Sequence, residues 1–341
     1  MRGGRDKILL QHRWSELLLP IRVDEDSARE NLCLMALGQL FLSLGILMGL
    51  KLAPSFVQLA SEKMMSSHKR CKLFVDDFTT FSTTIDEHLD ADLPKTLALC
   101  SYYNILLSPK KADILKTSCR ILGFKISESS TSLSGEKMDK IRALEFPTDK
   151  KDLISKLAFL AYFMRIAPRL SELTAPLREL ALPHVKFRPT EIHQKKFKEA
   201  IAHLLDDKVC ALRMPSFDPA DLMGVFTDAS SHSLSSIVTQ MLKPLKPMEG
   251  SDDKQLHKVA CWSSVLKTGW QNYPIWLLEL LSLADSLHKH KWLFHGRAFY
   301  VCTDSNVVEN WASLDKVPRD IARRVISLQA YDYRIIYLGR L

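Results

Sequence analysis

Lys72-Leu73-Phe74-Val75-Asp76-Asp77-Phe78-Thr79-Thr80-Phe81 sets two adjacent carboxylates inside an otherwise strand-forming run. β-Branched and aromatic side chains favour strands, and an Asp-Asp pair between two such runs marks the turn of a hairpin. Charge held there is costly unless hydrogen bonds or a cation offset it. Carboxylate oxygens at a strand turn suit Mg²⁺, which phosphoryl-transfer sites use to clamp attacking and leaving oxygens. Taken alone, the pair reads as a surface turn, so its surroundings decide.

Working outward, 341 residues are too many for one ordinary domain and suit two or three. Hydrophobic residues make up 46% and charged residues 25%, a globular balance with enough apolar mass for real cores. A net charge of +8 suits an anionic partner such as nucleic acid. The cysteines (Cys33, Cys71, Cys100, Cys119, Cys210, Cys261, Cys302) are scattered singly, without zinc-finger spacing. They read as reduced thiols of an intracellular protein, in cytoplasm or nucleus. The N-terminus runs into charged residues, unlike a secretory signal. Leu32 to Leu50 is free of charge and near the length of a membrane span. Gly38-Gln39, Gly45 and Gly49 interrupt it, so we read two short buried strands joined by turns, with no membrane partner.

Three zones follow one another. Residues 20–130 alternate short apolar runs and turns, with helices expected at Pro54–Met65 and Asp86–Tyr103, a mixed α+β pattern. Ser134–Leu182 turns helical: Thr148 is the expected N-cap, and Leu153, Leu157, Leu160 and Met164 share one face. A further helix is expected over Glu191–Asp206. Beyond Pro219 we expect strands at Met223–Asp228, Val259–Trp262 and Phe299–Cys302, with a helix over Ile275–His290 and a surface loop at Lys243–Lys254. That order suggests a separate α/β domain.

Thr227-Asp228 ends the first of these strands, Glu279 lies on the helix and Thr303-Asp304 ends the last strand. Acids delivered from two strand ends and one helix can converge on a metal pair that activates water against a phosphodiester. Each has a duller explanation by itself: an N-cap, an exposed helix charge, a turn residue. His288, His290 and His295 read as a basic solvated helix end, because residues two apart on a helix do not face each other. Trp292 reads as a half-buried helix-end aromatic, and Ser230-Ser231-His232-Ser233 lacks a nucleophile turn.

Taken together, these motifs resemble the Pol polyprotein of gypsy-type LTR retrotransposons. Phe74-Val75-Asp76-Asp77 resembles the Y-x-D-D box of reverse transcriptases, and Ser108-Pro109-Lys110-Lys111 looks like its N-P-x-K element. Ile121-Leu122-Gly123-Phe124 resembles the primer-gripping F-L-G strand, and Met48-Gly49-Leu50-Lys51-Leu52-Ala53-Pro54 with Gln58 resembles the helix under the template. Asp149–Leu180 is similar to the thumb. Thr227-Asp228-Ala229-Ser230, Glu279 and Thr303-Asp304 resemble the acidic site of the ribonuclease H domain that follows such thumbs, and Leu328–Tyr333 its L-x-x-Y-D-F run.

The resemblance implies an α+β reverse transcriptase palm (1–130) and a helical thumb (131–215), followed by an α/β ribonuclease H-like domain (216–341). It implies catalytic, metal-binding roles for Asp76, Asp77, Asp228, Glu279 and Asp304 with Mg²⁺ or Mn²⁺, and nucleotide or primer contacts for Gly49, Gln58, Lys111 and Gly123. RNA, DNA and RNA·DNA hybrids are the partners it implies; the oligomeric state stays open. Two departures qualify the activity. The family's further polymerase Asp, about eight residues before the Ile21-Arg22-Val23 run, falls at Arg13, and the fourth nuclease acid is missing. A catalytically inactive nucleic-acid-binding remnant is therefore the alternative expectation.

Overall fold

The computed structural model describes residues 8–13, 22–36, 38–43, 45–46, 50–75, 77–108, 110, 112–242, 255–267, 269–304 and 318–337. The chain forms two compact units, Met1–Glu128 and Ser129–Leu341.

In the first unit, strand β1 (Ile8–Arg13), which the sequence reading missed, lies inside an antiparallel sheet. Helix α1 (Glu25–Asn31) follows, its first turn capped by the Asp24 side chain. Strands β2 (Cys33–Ala36) and β3 (Gln39–Leu42) form the expected hairpin. The expected burial is wrong: Met35 is 81% exposed and Leu40 68%. A two-stranded ribbon covers only one face, and here Met35, Leu40 and Phe41 are left exposed. Helix α2 (Ala53–Met64) begins with Pro54 in its first turn, where the missing N–H costs nothing.

Strands β4 (Cys71–Phe74) and β5 (Asp77–Ser82) form the hairpin read from the Asp-Asp run. A short α3 (Ile85–Glu87), a π turn over His88–Asp92 and α4 (Leu93–Tyr102) make one helical stretch close to the expected bounds. Strand β6 (Asp113–Lys116) completes the sheet order β4-β5-β1-β6. Val57, Met65, Cys71, Phe78, Cys100 and Ile105 pack as the core between sheet and helices. Strands β7 (Ser118–Ile121) and β8 (Phe124–Ser127) are joined by Leu122 and Gly123, both left-handed at φ 50° and 78°. That tight hairpin turn favours glycine at its second position.

The second unit opens with β9 (Ser130–Leu133) and helices α5 (Gly135–Arg142), α6 (Lys150–Ala161), α7 (Leu170–Leu180), α8 (Glu191–Leu205) and α9 (Asp207–Cys210). The N-cap of α6 is Asp149, not Thr148. Asp149 accepts from the Asp152 amide at 2.8 Å, while the Thr148 amide donates to Asp152 at 3.1 Å, so the reciprocal pair sits one residue later than expected. Leu153, Leu157 and Leu160 are buried, and the final turn tightens to 3₁₀ so that Phe163, not Met164, completes the face.

Strand β10 (Leu212–Arg213) pairs with β9. A five-stranded sheet follows: β11 (Met223–Ala229), β12 (Ser233–Leu242), β13 (Gln255–Val265), β14 (Phe299–Thr303) and β15 (Tyr333–Tyr337), in the order β13-β12-β11-β14-β15. The first three are antiparallel; β14 runs parallel to β11 and β15 to β14. Helix α10 (Ile275–Lys289) crosses the sheet, with α11 (Lys291–Phe294) and α12 (Arg319–Ile326) beyond it. Its leucines Leu277, Leu280, Leu281 and Leu287 join Val225, Val238 and Val301 in one continuous core. The helical layer is tied to this sheet: the Ser171 amide donates to Ser263 Oγ at 3.1 Å and Cys261 Sγ to the Arg165 carbonyl at 3.7 Å. Among the described residues no helix is long and apolar enough to cross a membrane. The Lys243–Lys254 loop lies outside the described residues.

Candidate functional site

The first carboxylate stretch is held by its neighbours. Val75, just before the pair, has φ 53°, a left-handed conformation that β-branched residues rarely adopt. Gln58, projecting from α2, accepts the Val75 amide at 2.6 Å and donates to Glu62 at 2.6 Å and to the Leu73 carbonyl at 3.4 Å. The structure thus puts Gln58 behind the turn, buttressing it. Asp77 opens β5 and is only 9% exposed. Across the ladder its partner on β1 is Arg13. The neighbouring strand therefore offers a cationic residue at the position level with Asp77. Gly123 lies in the β7–β8 turn, while Asp76, Gly49 and Lys111 fall outside the described residues.

The second constellation is built by the five-stranded sheet. Parallel pairing sets Phe226 beside Cys302, and continuing that register brings Asp228 level with Asp304, each at the C-terminal end of its strand. Helix α10 is fastened over this end: Ser282 Oγ donates to the carbonyls of Asp228 at 3.1 Å and Ser235 at 2.9 Å. Residues three apart share a helix face, so Glu279 sits one turn from Ser282 on the side that carries the acids. Burial raises the Asp228 carboxyl above its usual range; an Ala229 backbone hydrogen bond lowers it, and the charges of Glu172 and Asp304 raise it further. Among the described residues, Arg169 is the cation that lowers it.

Arg169 and Glu172 were not legible beforehand. Arg169 stands in the left-handed conformation (φ 63°) just before α7 and donates to Glu172 at 3.0 and 3.2 Å. That pairing holds the Glu172 carboxyl below its usual range. Nothing in the local pattern signals that a helical segment nearly sixty residues upstream will pack beside Asp228.

Carboxylates short of counter-charge, all with hard oxygen donors, fit a divalent cation in chemistry. Among the described residues, however, no group of three His, Cys, Asp or Glu side chains converges closely enough to hold an ion. The histidine reading needs correction. His288 and His295 are exposed, but His290 turns inward, its Nε2 buried without a hydrogen-bond partner, and burial pushes the ring down to about 4. It ends α10 against packed side chains, not in solvent. Trp292 is 54% exposed and lies 6.4 Å from Phe217.

Comparison with known proteins gives two family matches. Residues 13–126 match the reverse transcriptase (RNA-dependent DNA polymerase) family, and residues 218–331 the RNase H-like domain found in reverse transcriptase. The enzymatic polyprotein of Cauliflower mosaic virus (strain Strasbourg) is 27% identical over 274 residues, 78% of this chain and 38% of that protein. The retrovirus-related Pol polyprotein from transposon 297 of Drosophila melanogaster is 21% identical over 85% of this chain and 26% of its own length. The transposon Tf2-3 polyprotein of Schizosaccharomyces pombe is 23% identical over 85% of this chain and 21% of its own length. The chain thus spans about two fifths or less of these relatives. Among solved structures, the foamy viral protease-reverse transcriptase in complex with RNA/DNA hybrid matches 99% of this chain and 44% of its own, at TM-score 0.76 and 18% identity. At that identity the likeness shows the fold.

Proposed function

The chain joins a reverse transcriptase domain to an RNase H-like domain in the manner of LTR-retrotransposon Pol polyproteins, and from that premise we propose that it acts on RNA·DNA hybrids, with the hydrolytic half competent and the polymerising half silent. The observation that carries the reading is the level pairing of Asp228 and Asp304 at the ends of parallel strands, with Glu279 on the helix fastened above them. These three carboxylates, which as they stand do not gather closely enough to hold an ion, would have to draw together around Mg²⁺ or Mn²⁺, which would supply the Lewis acidity for phosphodiester hydrolysis. The protein's own part is to fix the acids on rigid elements and to keep Arg169 and Glu172 paired beside them.

The polymerase half differs. Two-metal nucleotidyl transfer draws carboxylates from more than one strand. Here Arg13 is the residue level with Asp77, which favours duplex binding without extension. That observation supports the binding-remnant reading for this half alone.

The test is Mg²⁺-dependent cleavage of an end-labelled RNA·DNA hybrid by the purified chain. Cleavage that Asp228→Asn abolishes is the expected result. Hybrid binding without cleavage would leave only the remnant reading.

A further inference from the structure

We propose that the RNase H-like domain carries a second site, a nucleotide-binding pocket on the flank of α10 turned away from Glu279. A cavity of about 570 Å³ opens there between the end of β13, α10 and α12. That volume lies within the range of small-ligand pockets, roughly 300–1,000 Å³. Successive helix residues are about 100° apart, so His288, which lines the cavity, sits on the side of α10 opposite Glu279 and roughly 13 Å further along the axis. None of Asp228, Glu279 and Asp304 lines the cavity, so it is a distinct site, although Leu234, the ladder partner of Ala229, brings one wall near the carboxylate end of the sheet.

Its chemistry selects the ligand. Lys267, Lys289, Arg323 and Arg324 line the cavity, and among the described lining residues Asp285 is the one acid. Asp285 is engaged by Arg324, which leaves three cations facing the space without a lining carboxylate. Trp270 holds two of the cations in place, with Lys267 Nζ 5.0 Å and the Arg324 guanidinium 5.3 Å from its ring centroid. Trp262 supplies a second, flat apolar wall. Cations alone would suit any anion. An indole wall beside them, in a space far larger than one phosphate, suits a phosphate ester that carries an aromatic base. A base stacked on an indole face is held without regard to its identity. The ligand is a nucleotide unit, supplied either free or as part of a single strand.

The site can be tested whether or not the carboxylates cleave, because binding is read in EDTA. Anisotropy of a labelled oligo(dT) 12-mer would be followed with the full chain, with dTMP as competitor. Arg323→Glu and Lys267→Glu, both exposed positions, are expected to weaken binding roughly tenfold each, and Trp262→Leu about fivefold or more, with Trp262→Phe close to wild type. Lys198→Glu, on an exposed face of α8, should change little. Competition by dTMP at concentrations comparable to the oligonucleotide assigns the site to free nucleotides; much weaker competition assigns it to strands. Failure of the wild-type chain to bind either probe overturns the proposal. So does a Trp262→Leu chain that binds as well as wild type, or a Lys198→Glu chain weakened as much as Arg323→Glu, since either reduces the pocket to surface charge.

Discussion

Asp228 and His290 illustrate opposite uses of a titratable side chain. Asp228 stands among like charges: burial pushes its carboxyl up first, and Glu172 and Asp304 push it further. Without a cation, that repulsion is a standing cost to the folded chain. In EDTA at pH 7, Asp228→Asn should therefore melt higher than wild type, by about 1–3 °C. Adding Mg²⁺ should raise the wild type more than the variant. A scan in which the two chains respond equally to Mg²⁺ would remove Asp228 from the metal-binding set. His290 contributes through neutrality. Its ring is pushed from the usual 6.5 down to about 4, so the fold prefers the uncharged form. Above pH 6.5 the ring is neutral in both states and its contribution is fully present. As pH falls from 6.5 toward 4 the unfolded chain takes up the proton first, and stability declines. The shift corresponds to about 3 kcal/mol. Urea unfolding of His290→Gln across that window should show a shallower decline than wild type, and an identical slope would mean that the ring is not held neutral.

At the scale of elements, function depends on how one segment braces another. Gln58 carries the Val75 amide of the β4–β5 turn from a helix seventeen residues earlier. Because Val75 is left-handed, the turn has little support of its own. Gln58→Ala should raise hydrogen exchange at the Val75 amide by about tenfold or more, the equivalent of about 1.4 kcal/mol. Unchanged protection would show that the turn stands unaided. The Asp-Asp hairpin was legible because strand-forming residues flank the acids on both sides. Strand β12 was not. Its run Ser233-Leu234-Ser235-Ser236-Ile237-Val238 buries serines where apolar residues would announce a strand. Those serines are stabilised by the hydroxyls of α10, Ser286 donating to Ser236 at 2.8 Å and Ser282 to the Ser235 carbonyl. A tertiary hydrogen bond leaves no local periodicity to read. The same reason hid β1, whose six residues find their place only through pairing with β5 and β6. The exposed β2–β3 hairpin shows the converse, since its apolar residues signal strands correctly but cannot say what covers them.

At the scale of the whole chain, the two carboxylate groups give different expectations for the two halves. Asp77 opens one strand and Asp228 lies near the end of another, and both groups were visible as motifs. What separates them is the residue on the neighbouring strand, which the motifs named and the strand register sets level with each acid. Beside Asp228 the parallel partner brings a second acid, Asp304. Beside Asp77 the antiparallel partner brings Arg13. A guanidinium is charged at any working pH. It attracts phosphate and not a cation, so on the proposed reading the half that matches the reverse transcriptase family would grip a duplex without extending it. A chain carrying a net charge of +8 should bind a primer–template and lose affinity steeply as salt rises. The expected outcome is a preparation that cleaves the RNA of a hybrid yet adds no nucleotide to the primer, in Mg²⁺ or in Mn²⁺. Gel-resolved primer extension, run beside the cleavage assay on the same labelled hybrid, checks it. Templated extension that Asp77→Asn abolishes would show that Arg13 does not silence the site, and a carboxylate from elsewhere in the chain would then have to be found.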